Sequence, residues 1–440
     1  MVTHKDTASG YNAKHIILLI GIIFIAFNLR PAMTSVGPLI QFIREDTGIS
    51  NGVAGLLTTI PLLAFALLSP FAPTIGQRIG KERTVFIGIL ILTAGILIRA
   101  SGFIPPLFLG TALAGAGIAI CNVLLPGIVK ERFPRKVGVV TGVYTASMVL
   151  WASAASGFSV PITNGFELEW SSSLGTWGLL ALPALLLWIP QVKNKPEPDS
   201  SSDNEEELPS VWRSKLAWQV TFFMGLQSFL FYCLVTWLPE ILQARGVDPS
   251  TAGWMLSIMQ FIGLPLTFFV PVLADRLSNQ KGIVVGISLF YFVGLGGILI
   301  EGSFTLLATS VFLFGFAQGG ALSLSLTLLG LRAQSAKQAS QLSGMAQSFG
   351  YLLAAVGPFS IGILFDMFHH WTPAIIICIV ITACMLWSGL GAGRDRYVSQ
   401  EPDSKKRWLK IGTSCGSILV RSFHQFPHER GFLHLFNFSC

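Results

Sequence analysis

HIILLIGIIFIAFNLRPAMTSVGPLI, residues 15–40, decides the class of this chain. Apart from His15 at its edge, Arg30 is its one ionisable side chain. A helix needs roughly 20 apolar residues to cross the hydrocarbon core of a bilayer, and this run exceeds that. It is also too long for the apolar region of a secretory signal, roughly 7–15 residues, and no small-residue cleavage site follows it. Arg30 stands ~21 Å into the run at ~1.5 Å per residue, deep in what reads as a membrane span.

The rest of the 440 residues repeats that texture. Hydrophobic residues make up 52% and charged residues 12%, and the mean hydropathy is +0.65. A soluble domain carries about 25% charge, so most side chains here face something other than water. Apolar runs fall at 15–40, 52–74, 84–103, 106–128, 138–161 and 174–191. After a polar gap they resume at 216–240, 252–274, 282–301, 304–330, 341–365 and 372–392. The runs are long and continuous, without the alternation of a barrel strand, and predict an all-α membrane protein of twelve transmembrane helices.

Charge placement sets the orientation. The net charge of +7 would point to nucleic acid in a soluble protein. Here the lysines and arginines segregate by side instead, so the bilayer is the expected partner and nucleic acid is not. With the N-terminus inside, seventeen of them, from Lys5 to Lys337, fall on the inner side against Arg44 and Arg245 outside. The positive-inside rule then places both termini in the cytoplasm of a multi-pass cell-membrane protein. The six cysteines show no metal-ligand spacing and read as small apolar residues, so no metal or cofactor is expected.

Internal repeats divide the chain. GISNGVAGLLTTI at Gly48 resembles GVDPSTAGWMLSI at Gly246, 198 residues on, and PTIGQR at Pro73 resembles PVLADR at Pro271 by the same offset. VVTGVYTAS around Gly142 aligns with QLSGMAQSF around Gly344, 202 residues on. The expected domains are a six-helix half at 1–192, an acidic, Ser-rich cytoplasmic linker at 193–215, and a second half at 216–393. A basic, aromatic cytoplasmic tail of unassigned role follows at 394–440. Two halves in parallel repeat are the layout of a rocking carrier.

The repeated loop resembles a signature of the major facilitator superfamily, Gly-x-Leu-Ala-Asp-Arg-x-Gly-Arg-Lys. Arg78, Gly80 and Lys81 match it, with Arg83 just beyond, while Gln77 stands where the pattern has its acid. The second copy, LADR at 273–276, keeps the acid as Asp275 beside Arg276 but has Ser278 for the glycine. Within the superfamily the chain is similar to the cyanate/nitroimidazole transporter branch (CynX/NimT-like). That similarity rests on NLRPAMTSVGPL (28–39), LLTTIPLLAFALLSP (56–70), TWLPEIL (236–242) and SGMAQSFGYLLAAVGP (343–358), and covers residues 12–393. The resemblance implies two pseudo-symmetric six-helix bundles, with the first, fourth, seventh and tenth helices lining a central cavity.

The polar residues at membrane depth are the candidate site. An arginine at mid-helix costs about 3 kcal/mol, which a cavity, a carboxylate or an anionic ligand would offset. Arg30 therefore reads as a solute anchor, as a side chain snorkelling to the outer headgroups, or as a partner of Asp46 or Glu240. Pro31 removes the hydrogen bond to the Phe27 carbonyl and bends the helix there, with a gating or a structural role. Asn28 lies about 200° from Arg30 around the helix, whereas Thr34 shares its face. Asn122, Tyr144, Gln227, Tyr232, Gln318, Gln347 and Tyr351 complete the expected solute-binding set, and Gln260 is a further mid-depth amide; each reads equally as interhelical glue. The resemblance favours Asn122, Gln227 and Gln318, and more modestly Gln347 with Tyr351.

Arg99 and Glu301, 202 residues apart, read as an ion pair or as separate snorkelling residues near helix ends. Arg78, Gly80, Lys81, Arg83, Asp275, Arg276 and Arg332 read as the inner gate, with an acid pairing a base such as Arg332, or simply as positive-inside anchors. The expected function is a non-enzymatic secondary carrier, a functional monomer moving a small polar or anionic solute by alternating access, with a proton as the candidate coupling ion. Efflux of amphipathic drugs is the rival. A membrane enzyme or sensor is remote, since acids and histidines do not cluster at membrane depth.

Overall fold

The computed structural model describes residues 13–134, 136–165, 169–192, 211–300 and 302–398. Most of the expected linker, Glu301 and the tail from residue 399 lie outside the described residues. Among the described residues the regular structure is helical, with no strand. Eleven helical segments are long and apolar enough to cross a membrane: α1 (His15–Thr47), α2 (Asn51–Leu68), α4 (Ile104–Arg132), α5 (Val139–Gly165), α6 (Trp170–Val192), α7 (Lys215–Gln243), α8 (Pro249–Arg276), α9 (Lys281–Leu299), α10 (Phe304–Leu331), α11 (Gln338–Phe368) and α12 (Thr372–Ala392). The twelfth, α3 (Lys81–Arg99), is as long but carries Lys81, Glu82, Arg83 and Arg99 at its ends.

α1 is not continuous. Its first piece ends at Leu29, a single turn follows at Pro31–Thr34, then a 3-10 turn at Gly37–Leu39 and a last piece at Ile40–Thr47. The cause is local: Pro31 and Pro38 lack the N–H that would continue the ladder. The N–H groups of Met33 and Thr34 both return to the Arg30 carbonyl, at 2.9 and 3.0 Å. Similarly, the run read as 52–74 stops at Leu68, and a separate helix covers Ala72–Ile79.

The repeat seen in the sequence has matching local geometry. Gly48 (φ +71°) and Gly246 (φ +85°) stop the chain after α1 and α7 in the left-handed region that favours glycine. Two residues later Ser50 accepts the N–H of Val53 at 3.3 Å, and Asp248 that of Thr251 at 3.0 Å. Each caps the next helix, α2 and α8.

α7 lies almost wholly inside the bundle, against α10, α11 and α12. Large apolar side chains such as Leu97, Leu186, Phe269 and Trp387 face outward, as lipid exposure requires. The first six helices meet the last six chiefly through α2 on α11 and α5 on α8, with the last part of α1 also against α7 and α8. The helix ends are chemically distinct. At the basic end Lys81 pairs with Glu131 (3.0 Å) and Arg132 with Glu82 (2.8 Å), tying α3 to α4. At the opposite end Arg44 pairs with Glu240 (3.1 Å), and Asp366 accepts the backbone N–H of Asn51 and Gly52, at 3.0 and 2.7 Å. Ser153 and Gln260 add bonds to Ser257 and Ser156 at mid-depth. The bonds between the two sets of helices are thus concentrated away from the basic end.

Candidate functional site

The break in α1 puts Arg30 on the wall of a cavity between the two sets of helices. Arg30 is the one charged side chain lining it. Its guanidinium carbon sits over the ring of Phe231, 5.2 Å from the centroid. Such a contact contributes about 0.5–2 kcal/mol, less than the cost of a cation at this depth. Neither carboxylate weighed as its partner is engaged with it. Asp46 accepts the indole N–H of Trp170 at 2.9 Å, and Glu240 is held by Arg44. Among the described residues no acid pairs with Arg30, which leaves its fork of donors toward the cavity.

Gln227, Tyr232, Gln318 and Tyr351 line the same cavity, as does Gln260. The Gln227 amide donates to Ser228 at 2.7 Å, and that of Gln260 to Ser156 at 2.7 Å. The Gln318 NH2 group is buried without a protein partner. Aromatic faces form much of the rest: Phe231 meets Tyr232 edge to face at 4.9 Å, and Tyr351 leans on Phe65 at 5.0 Å. Phe231 and Ser228 were not singled out by the sequence. They sit in SFLFYCL (228–234), a run that looks like any lipid-facing stretch.

Other expected members stand outside the cavity lining. Asn28 turns to the far side of α1, where its amide donates to the carbonyls of Phe24 (2.8 Å) and Leu180 (3.0 Å). The Thr34 hydroxyl donates to Ala152 on α5 at 3.0 Å, so sharing the face of Arg30 binds it to a neighbouring helix. Tyr144 is buried on α5, and Gln347 donates to Ser343 at 2.9 Å. Asn122, on α4, is only half-buried. The cavity wall comes from α1, α5, α7, α8, α10 and α11, and no residue of α4 is among its lining.

The basic end likewise departs from expectation. Arg78 is exposed, Gly80 (φ +99°) joins the short helix to α3, and Arg83 donates to the Val192 carbonyl at 3.3 Å. Asp275 and Arg276 are exposed. Arg332 is buried, donating to Gln280 and to the Ala392 carbonyl (2.8 Å), so the expected closing pair with an acid such as Asp275 is not made. Burial holds the Arg332 guanidinium below its ordinary pKa range, with Asp395 opposing. Arg99, too, differs from the snorkelling residue expected. It is 1% exposed and reaches inward to the Ala32 carbonyl at 2.5 Å, beside the α1 break.

The chain matches the model of the Major Facilitator Superfamily over residues 18–358 and 226–436. Similar curated proteins include an uncharacterized transporter, YycB, of Bacillus subtilis (strain 168), 53% identical over 384 residues, 87% of this chain and 95% of that one. The 2-nitroimidazole transporter of Escherichia coli (strain K12) is 39% identical over 398 residues, 90% of this chain and all of that one (100%). The cyanate transport protein CynX of the same organism is 27% identical over 348 residues, 79% and 89% of the two chains. Among solved structures, a bacterial homologue of the human lysosomal transporter Spinster superposes with a TM-score of 0.70 at 15% identity, over 88% of this chain and 99% of that one. A D-xylose–proton symporter gives 0.69 at 13%, over 88% and 98%. At these identities the structural likeness concerns the fold alone.

Proposed function

We propose, for a chain that belongs to the Major Facilitator Superfamily, that Arg30 anchors a small polar or anionic solute of the cyanate or nitroimidazole kind. The chain is a multi-pass membrane transporter that works by alternating access. One observation carries the solute class: the cavity holds a single charge, positive, and no carboxylate among its lining residues neutralises it. Cyanate is an anion, and a nitro group presents acceptor oxygens; both complement a guanidinium fork. The relatives that transport these compounds support the same class.

In this reading 1–192 and 216–393 are the two moving bodies and 193–215 is the tether between them. The basic end faces the cytoplasm, with both termini there, and the protein acts as a monomer in the cell membrane. The bonds of Arg44 and Asp366 to the other set of helices then close the outer side. Coupling to a proton belongs to the same proposal, with Glu240 and Asp366 as the acids at the closing interface. The aromatic walls favour a second reading, efflux of amphipathic compounds. An uncompensated guanidinium repels the cationic members of that class.

Uptake into proteoliposomes under an imposed pH gradient tests the proposal. Accumulation of labelled cyanate or 2-nitroimidazole supports it. Transport of a cationic dye with neither solute moved would replace it with efflux.

A further inference from the structure

Three glutamine amides face the cavity, and they are not equivalent. Gln227 and Gln260 spend their NH2 groups on Ser228 and Ser156. Gln318, 6% exposed and in the middle of α10, finds no protein acceptor for its own. A buried donor left unsatisfied costs about 1–3 kcal/mol, so its retention beside a cavity needs an acceptor. Arg30, the charged donor set at the cavity, belongs to α1 and thus to the opposite set of helices.

The walls define shape. Phe231, Tyr232 and Tyr351 supply flat aromatic faces. Gly263 of α8 and Gly319 of α10 also line the cavity, where their two backbones touch: a Cβ on Gly319 would collide with the Gly263 carbonyl.

We propose that Gln318 is a second recognition point, and that the site selects flat monoanions carrying another hydrogen-bond acceptor remote from the charge. The anionic end lies on the Arg30 fork and the second acceptor takes the Gln318 NH2. An amide turn about the last side-chain torsion is enough to present that group. The inference rests on the Arg30 reading. It adds that a charge alone does not fill the site, and that a solute bridging Arg30 and Gln318 links the two sets of helices.

Two shape-matched probes test it on the purified full chain: 4-nitrobenzoate, which has the second acceptor, and 4-isopropenylbenzoate, whose sp2 substituent lacks it. The wild type is expected to bind the nitro compound about tenfold more tightly, as one satisfied buried donor allows. Gln318→Met is expected to bring that ratio close to one, and Gln318→Glu, which offers an acceptor in place of a donor, to invert it. Arg30→Gln is expected to weaken both probes in parallel. A wild-type ratio near one, or a ratio unmoved by both Gln318 variants, overturns the second point and leaves the Arg30 anchor standing. Equal binding of both probes by wild type and Arg30→Gln overturns the anchor itself.

Discussion

The carboxylate of Asp366, near the end of α11, accepts the backbone N–H of Gly52 in the first turn of α2 at 2.7 Å. The Asn51 N–H and side-chain amide reach the same group at 3.0 and 2.8 Å. A carboxylate at a helix N-terminus satisfies orphan donors and complements the helix dipole. Here donor and acceptor belong to opposite sets of six helices, so the bond has to break whenever that end opens.

Asp366→Asn removes the charge from this contact. Hydrogen bonds to charged groups contribute about 1.5–3 kcal/mol, so the closed end should lose about tenfold or more in relative population. The check is the labelling rate of a cysteine placed at Thr58, in a chain whose own cysteines are replaced, with an impermeant maleimide. A rate equal to that of the unmodified chain would count against the latch.

Two alanine substitutions separate closure from folding. A Cβ at Gly55 would sit 2.5 Å from the Pro358 carbonyl, across the interface that opens. Gly319 meets Gly263 within the last six helices. Overpacking costs about 1–3 kcal/mol in either place. Gly55→Ala should raise Thr58 labelling with little change in the thermal midpoint, whereas Gly319→Ala should lower that midpoint.

Arg99→Met leaves the Ala32 carbonyl without its buried donor at the α1 break. An unmet buried acceptor costs about 1–3 kcal/mol, in the same peptide turn that presents Arg30. The measurement is solute affinity at matched abundance, where a rise of several fold in half-saturation is expected. Unchanged affinity would show that the turn holds its shape without Arg99.

Phe231→Leu keeps an apolar side chain but removes the ring beneath the Arg30 guanidinium. Loss of about 0.5–2 kcal/mol should weaken anion binding by roughly 2- to 30-fold, with Phe231→Tyr close to wild type. Equal affinities for the leucine and tyrosine variants would remove the ring from the account.

How far the sequence foretold this arrangement depended on the kind of signal. Arg30 and Pro31 were legible because a charge and a missing N–H stand out in an apolar run. Phe231 was hidden among 33 phenylalanines, since nothing local marks the one that lies under a guanidinium. Asn28 and Thr34 were legible as polar but not as engaged, because their partners Leu180 and Ala152 are 152 and 118 residues away. The Asp366 contact spans 314 residues and has no counterpart in any local pattern. Arg332 was legible as a charge at a helix end but not as buried, because its bonds to Gln280 and Ala392 depend on how α10 meets the end of α12.

The claim on which the rest depends is that a lone guanidinium at the break in α1 holds the solute. Arg30→Gln and Arg30→Lys, reconstituted at equal abundance and assayed for concentration-dependent uptake of labelled cyanate and 2-nitroimidazole, address it directly. The glutamine variant should raise half-saturation by about tenfold or more, and lysine, which keeps the charge but loses the planar fork, should fall between. Wild-type half-saturation and maximal rate in both variants would contradict the assignment.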